Sequence, residues 1–98
     1  MRFKEENEKF IKAWGREAQS RMAIEEMSEL IKELCKLERT YSFDKDKTAD
    51  TIKHIQEEIA DVMNMMEQLE LLYGEEEVEM QRENKIKRTL NRLPENYK

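Results

Sequence analysis

The sequence predicts an all-α chain: four helices forming one bundle-like domain over residues 1–98. Three observations carry that expectation. Apolar residues recur at helical spacing through most of the chain. Only 2 Gly and 1 Pro interrupt it, too few for a turn-rich β fold. A length of 98 residues suits a single domain. Charged residues make up 42% and hydrophobic residues 38%, a balance that borders on that of disordered chains. The periodicity decides for helices with heavily charged outer faces.

The first helix spans roughly residues 3–14, with Phe10, Ile11 and Trp14 on one side. Gly15 weakens the helix and marks a kink or break. A second helix starts near Arg16, or after Ser20 acting as N-cap, and ends at 38–40. Met22, Met27, Leu30, Ile31, Leu34 and Leu37 are its expected core positions. Cys35 lies among them and is expected to be a buried thiol. Residues 40–47 lose the pattern and read as a loop. Thr48 or Asp50 then caps a third helix, whose stripe runs from Ile52 through Ile55, Ile59, Val62, Met63, Met66 and Leu69 to Tyr73. Gly74 stands where a left-handed C-terminal cap belongs. Glu75, Glu76 and Glu77 open a fourth helix, which carries Val78, Ile86 and Leu90, turns basic and stops before Pro94.

A formal net charge of −5 argues against general nucleic-acid binding, which rests on Lys and Arg neutralising phosphates. The single cysteine excludes an intramolecular disulfide, and there is no Cys/His zinc pattern. The charged N-terminus has no leader-like apolar run, and no stretch approaches the ~20 apolar residues of a membrane span. A cytoplasmic protein with no membrane partner is expected. A single chain of this size has a thin core, and pairing with another copy would bury more apolar surface.

Two acidic stretches stand out, Glu25-Glu26-Met27-Ser28-Glu29 and Glu57-Glu58-Ile59-Ala60-Asp61. Residues three apart on a helix share a face, so Glu26 pairs with Glu29 and Glu58 pairs with Asp61. On facing helices the two pairs would form a four-carboxylate cluster. Like charges at that spacing repel unless cations sit among them, and hard divalent ions such as Mg²⁺ take oxygen ligands of this kind. The acids border the apolar stripes rather than lying opposite them. Ala60 leaves room between Glu58 and Asp61, and Asp61 is a poor mid-helix residue. On the residues alone, a metal site and a solvated acidic face both stay open.

These motifs, in this order on successive helices, resemble the signature of the MazG-like all-α nucleoside triphosphate pyrophosphohydrolase superfamily. The resemblance spans about residues 14–92 and takes in the later basic segment Asn84-Lys85-Ile86-Lys87-Arg88. It implies that Glu26, Glu29, Glu58 and Asp61 bind Mg²⁺, with Mn²⁺ as a substitute. It further implies that Glu25 and Glu26 act on the catalytic water, and that Lys85 and Arg88 hold a triphosphate. Trp14 and Gln19, just before the first motif, are candidates for contacting the base. Their plainer readings are a core aromatic and an exposed helix residue. The implied reaction is hydrolysis of an NTP or dNTP to the monophosphate and pyrophosphate, in a homo-oligomer, dimer or tetramer. Phosphoribosyl-ATP pyrophosphatases resemble this architecture too, but they commonly carry a His where this chain has Asn64. A non-catalytic helical interaction module is the alternative of another class.

Overall fold

The computed structural model describes residues 1–40 and 45–98. Four helices account for nearly all of them: α1 (Lys4–Trp14), α2 (Arg16–Thr40), α3 (Lys45–Tyr73) and α4 (Glu75–Asn91), followed by a short 3₁₀ turn, Glu95–Tyr97. No strand occurs among the described residues. The all-α expectation holds. α2 starts at Arg16, one of its two expected starts, and Ser20 lies inside the helix. One boundary differs: α3 starts at Lys45, ahead of Thr48 and Asp50, so neither caps it. Tyr41 and Phe43, expected in the loop, lie outside the described residues.

Glycine sets both sharp breaks. Gly15 has φ 89° and donates its N–H to Ile11 O at 2.7 Å; Gly74 has φ 118° and donates to Glu70 O at 2.9 Å. Both values fall where a Cβ is strained, so any other residue costs free energy at these corners. Gly74→Ala should destabilise the fold by about 1–3 kcal/mol, read as a lower urea midpoint. Beside that, the flexible Glu77 carboxylate, 2.6 Å from where the new Cβ would stand, is easily displaced.

The central unit is the α2–α3 pair, with α1 packed on both and α4 on α3. Its register is antiparallel: Gln19 meets Gln68, and Glu33 meets His54. A ladder of carboxamides ties three helices together. Gln19 Nε2 donates to Gln68 Oε1 at 2.7 Å, Gln68 Nε2 to Asn7 Oδ1 at 3.1 Å, and Asn7 Nδ2 to Glu67 Oε2 at 2.7 Å. Asn7, Gln19 and Gln68 are all buried. At the same end Arg16 donates to Leu72 O at 3.2 Å and lies over the Tyr73 ring. Lys4 joins Glu75 at 3.0 Å across the starts of α1 and α4.

The apolar core is much smaller than the stripes suggest. Ala23, Ile55 and Met65 are buried, whereas Met22, Ile31, Leu34, Ile52, Ile59, Met63, Met66 and Tyr73 are exposed. Cys35 is exposed as well, against the expectation of a buried thiol. The molecule is a slab of 45 × 40 × 20 Å with a radius of gyration of 17.1 Å. A compact chain of this length would have about 12.6 Å. A slab about two helices thick covers one side of each stripe and leaves the other open.

Candidate metal centre

α2 brings Glu26 and α3 brings Glu58 and Asp61 to one place midway along the antiparallel pair. One carboxylate oxygen from each lies within 4.8 Å of the other two. The sequence places them there in two steps. Glu58 and Asp61 are a turn apart on α3, and the register that sets Gln19 against Gln68 carries Glu26 to the same level. Glu26 and Glu58 are half-buried at the helix seam, while Asp61 is open to solvent. The Oε2 atom of Glu58 is buried and has no hydrogen-bond partner. An unpartnered buried carboxylate oxygen is costly unless a cation or a proton meets it.

The electrostatics agree. Burial raises the pKa of the Glu26 carboxyl above its ordinary value, and the negative charges of Asp61 and Glu58 push it the same way. The folded chain therefore takes up this proton at higher pH than the unfolded chain, whose carboxyl titrates near 4.5. Between those two values the native state binds more protons, so stability falls as pH rises through the window. Metal-free protein should accordingly gain stability on acidification from neutral pH toward 4.5. Glu70 is raised too, first by burial and then by the neighbouring Glu79 carboxylate, and contributes with the same sign. The urea midpoint as a function of pH, wild type against Glu26→Gln, isolates the part due to Glu26. An unchanged slope in the variant would show that Glu26 is not the group responsible.

The other expected site residues are distributed unevenly. Glu29 lies one turn beyond Glu26 on α2 but is exposed and outside the group of three. Glu25 and Glu57 are exposed. Lys85 and Arg88 are exposed on α4. A cavity of about 580 Å³ lined by Lys85 and Lys87 includes none of the three carboxylates. Trp14 is 63% exposed and stacks on Phe10, with ring centroids 5.7 Å apart, so it is not the core residue that its spacing suggests. Gln19 is only 6% exposed, and its amide nitrogen is committed to Gln68.

One residue at the seam went unremarked in the sequence. Glu33 Oε2 is buried without a hydrogen-bond partner, 3.9 Å from His54 Nδ1. Its position was legible: Glu33 is two turns beyond Glu26, and His54 is about one turn before Glu58, so the same register joins them. The acidic seam thus extends past the cluster of three.

Oxygen donors from three carboxylates, one with an orphaned buried atom, fit a hard divalent cation of the Mg²⁺ or Mn²⁺ type and offer nothing to a thiophilic metal. No described helix is long and apolar enough to cross a membrane. Comparison with protein-family models, with curated proteins and with solved structures returns no match.

Proposed function

We propose that this chain is a Mg²⁺-dependent nucleoside triphosphate pyrophosphohydrolase, cutting between the α- and β-phosphates to release a monophosphate and pyrophosphate. The observation that carries the reading is the convergence of Glu26, Glu58 and Asp61, with the Glu58 Oε2 atom buried and unpartnered. Glu26, Glu58 and Asp61 would hold the ion, with Glu29, one turn beyond Glu26, as the fourth candidate ligand. When bound, Mg²⁺ neutralises phosphate oxygens and makes an attacking water more acidic.

The chain's own residues supply the rest. Glu25, beside Glu26 on α2, accepts a proton from the water as its oxygen attacks the α-phosphorus. The bond from that phosphorus to the bridging oxygen breaks, and the electron pair leaves with pyrophosphate. Lys85 and Arg88 offset the charge that builds on the leaving group. The expected location is the cytoplasm, where nucleotides and millimolar Mg²⁺ occur together.

The test is pyrophosphate release over a panel of normal and modified NTPs and dNTPs with Mg²⁺. Orthophosphate without pyrophosphate would overturn the bond assignment. A second reading, a non-catalytic helical interaction module, draws on the large open apolar surface. It predicts no turnover across the panel and no rise in thermal midpoint with Mg²⁺ or Mn²⁺.

A further inference from the structure

The antiparallel seam between α2 and α3 carries more ligand atoms than the cluster of three uses. Stepping along α2 from Glu26 to Glu29 to Glu33 matches stepping back along α3 from Asp61 to Glu58 to His54, in the register that sets Gln19 against Gln68. The last of these rungs differs in kind from the others. Its Glu33 side chain is only 14% exposed, and the Oε2 atom is buried with no hydrogen-bond partner. Across the seam stands Nδ1 of His54, the chain's single histidine, at 3.9 Å. That is too long for a hydrogen bond to a ring nitrogen, whose usual limit is about 3.2 Å. A buried carboxylate oxygen left in this state is costly. The His54 side chain is half open to solvent, so the gap beside it can be reached from outside.

We propose that Glu33 Oε2 and His54 Nδ1 hold a second cation, a borderline transition dication of the Zn²⁺ type, apart from the carboxylate cluster. The spacing fits. Zn²⁺ lies about 2.0–2.2 Å from an imidazole nitrogen or a carboxylate oxygen, so two ligands of a tetrahedral ion stand about 3.4 Å apart and two opposed ligands about 4.2 Å. The gap between Glu33 and His54 falls between these values. The donor types fit as well. A nitrogen paired with an oxygen suits Zn²⁺ and its neighbours, whereas the all-oxygen set of Glu26, Glu58 and Asp61 suits Mg²⁺. The seam therefore sorts two ions by ligand chemistry. The ion gives Glu33 Oε2 the partner it lacks, and the carboxylates along the seam attract it. Water completes the shell on the open side of His54. With two protein ligands, the site holds its ion less tightly than a four-ligand structural zinc site and exchanges it. The competing arrangement is a plain ion pair with protonated His54, and it puts a proton on Nδ1 where the metal would sit.

The site stands whether or not the chain cleaves nucleotides. ¹⁵N NMR of the intact, metal-free chain titrated with Zn²⁺ tests it, because a single histidine gives one unambiguous pair of ring nitrogens. Nδ1 should take the shift of a metal-bound nitrogen while Nε2 stays protonated, and Mg²⁺ alone should leave both unchanged. Glu33→Gln should weaken Zn²⁺ binding at His54 at least tenfold. His54→Gln, a change at a half-exposed side chain, should reduce the rise in thermal midpoint that Zn²⁺ produces. Where Glu33→Gln does not fold, the choice of ring nitrogen in the wild type decides. Ring nitrogens unmoved by Zn²⁺ overturn the proposal, as does coordination through Nε2 alone or a folded Glu33→Gln variant that binds as tightly as the wild type. Asp61→Asn removes a ligand of the carboxylate cluster and should leave the His54 response in place; its loss there would mean one shared ion and no second site. A chain that shows this response but releases no pyrophosphate loses the proposed activity and keeps the site.

Discussion

Glu58→Gln should lower pyrophosphate release at least about a hundredfold, because losing a ligand costs more than the 10–100-fold typical of an outer-shell partner. The same substitution should act oppositely on the metal-free protein. Glu58 Oε2 is buried without a partner, near the carboxylates of Glu26 and Asp61. Gln keeps the shape and removes a charge that repels its neighbours. Metal-free stability should therefore rise, by up to about 1 kcal/mol. The rise in thermal midpoint on adding Mg²⁺ or Mn²⁺ should shrink or vanish, since the folded state has lost its differential affinity for the ion. Activity assays and metal titrations of wild type and variant, side by side, check all three signs. A variant that is less stable without metal would mean that Glu58 has a structural partner and would count against the cation reading.

Gln68→Leu should cost about 2–4 kcal/mol of stability. Gln68 is the middle rung of the carboxamide ladder. Its loss leaves Asn7 Oδ1 and Gln19 Nε2 buried without these partners. Each orphaned group carries a desolvation penalty of about 1–3 kcal/mol. Urea midpoints at one fixed protein concentration measure the effect, with the slope expected to stay unchanged. The double variant Gln19→Leu with Gln68→Leu should lose less than the sum of the single losses, because it removes both partners of one bond. Strict additivity would mean that the two amides do not depend on each other. This ladder also bears on Gln19 as a base-contacting residue. Its amide is occupied in holding α2 to α3, so Gln19→Leu should lower stability before it alters any substrate preference.

The helices themselves were legible because their signals are local. Apolar spacing marked α1 to α4, and the scarcity of breakers left Gly15 and Gly74 as the natural corners, where both adopt positive φ. Thr48 and Asp50 as the start of α3, and Ser20 as the alternative to Arg16 for the start of α2, fail for a common reason. Each is a residue able to cap, and nothing local says whether the helix has already begun upstream. At the site, the spacing Glu58-x-x-Asp61 fixed two ligand candidates on one face, and Glu26 joined them through the register of α2 on α3. Glu29 has the same local credentials as Glu26 yet stands outside the group, because the seam, not the motif, decides which side faces α3.

By itself the sequence determined the helical class, the two glycine corners and the helices that carry the acids. Those properties rest on backbone preference and on side-chain periodicity, which act within a few residues. Only the tertiary structure decided which part of each apolar stripe is covered. Asn7, Gln19 and Gln68 took the interior at one end of the bundle, while Ile31, Met63 and Cys35 were left outside. Periodicity can say that a helix has an apolar side but not how wide a sector its neighbour covers. That depends on how helices separated in sequence pack, and in a slab about two helices thick each stripe is covered on one flank only.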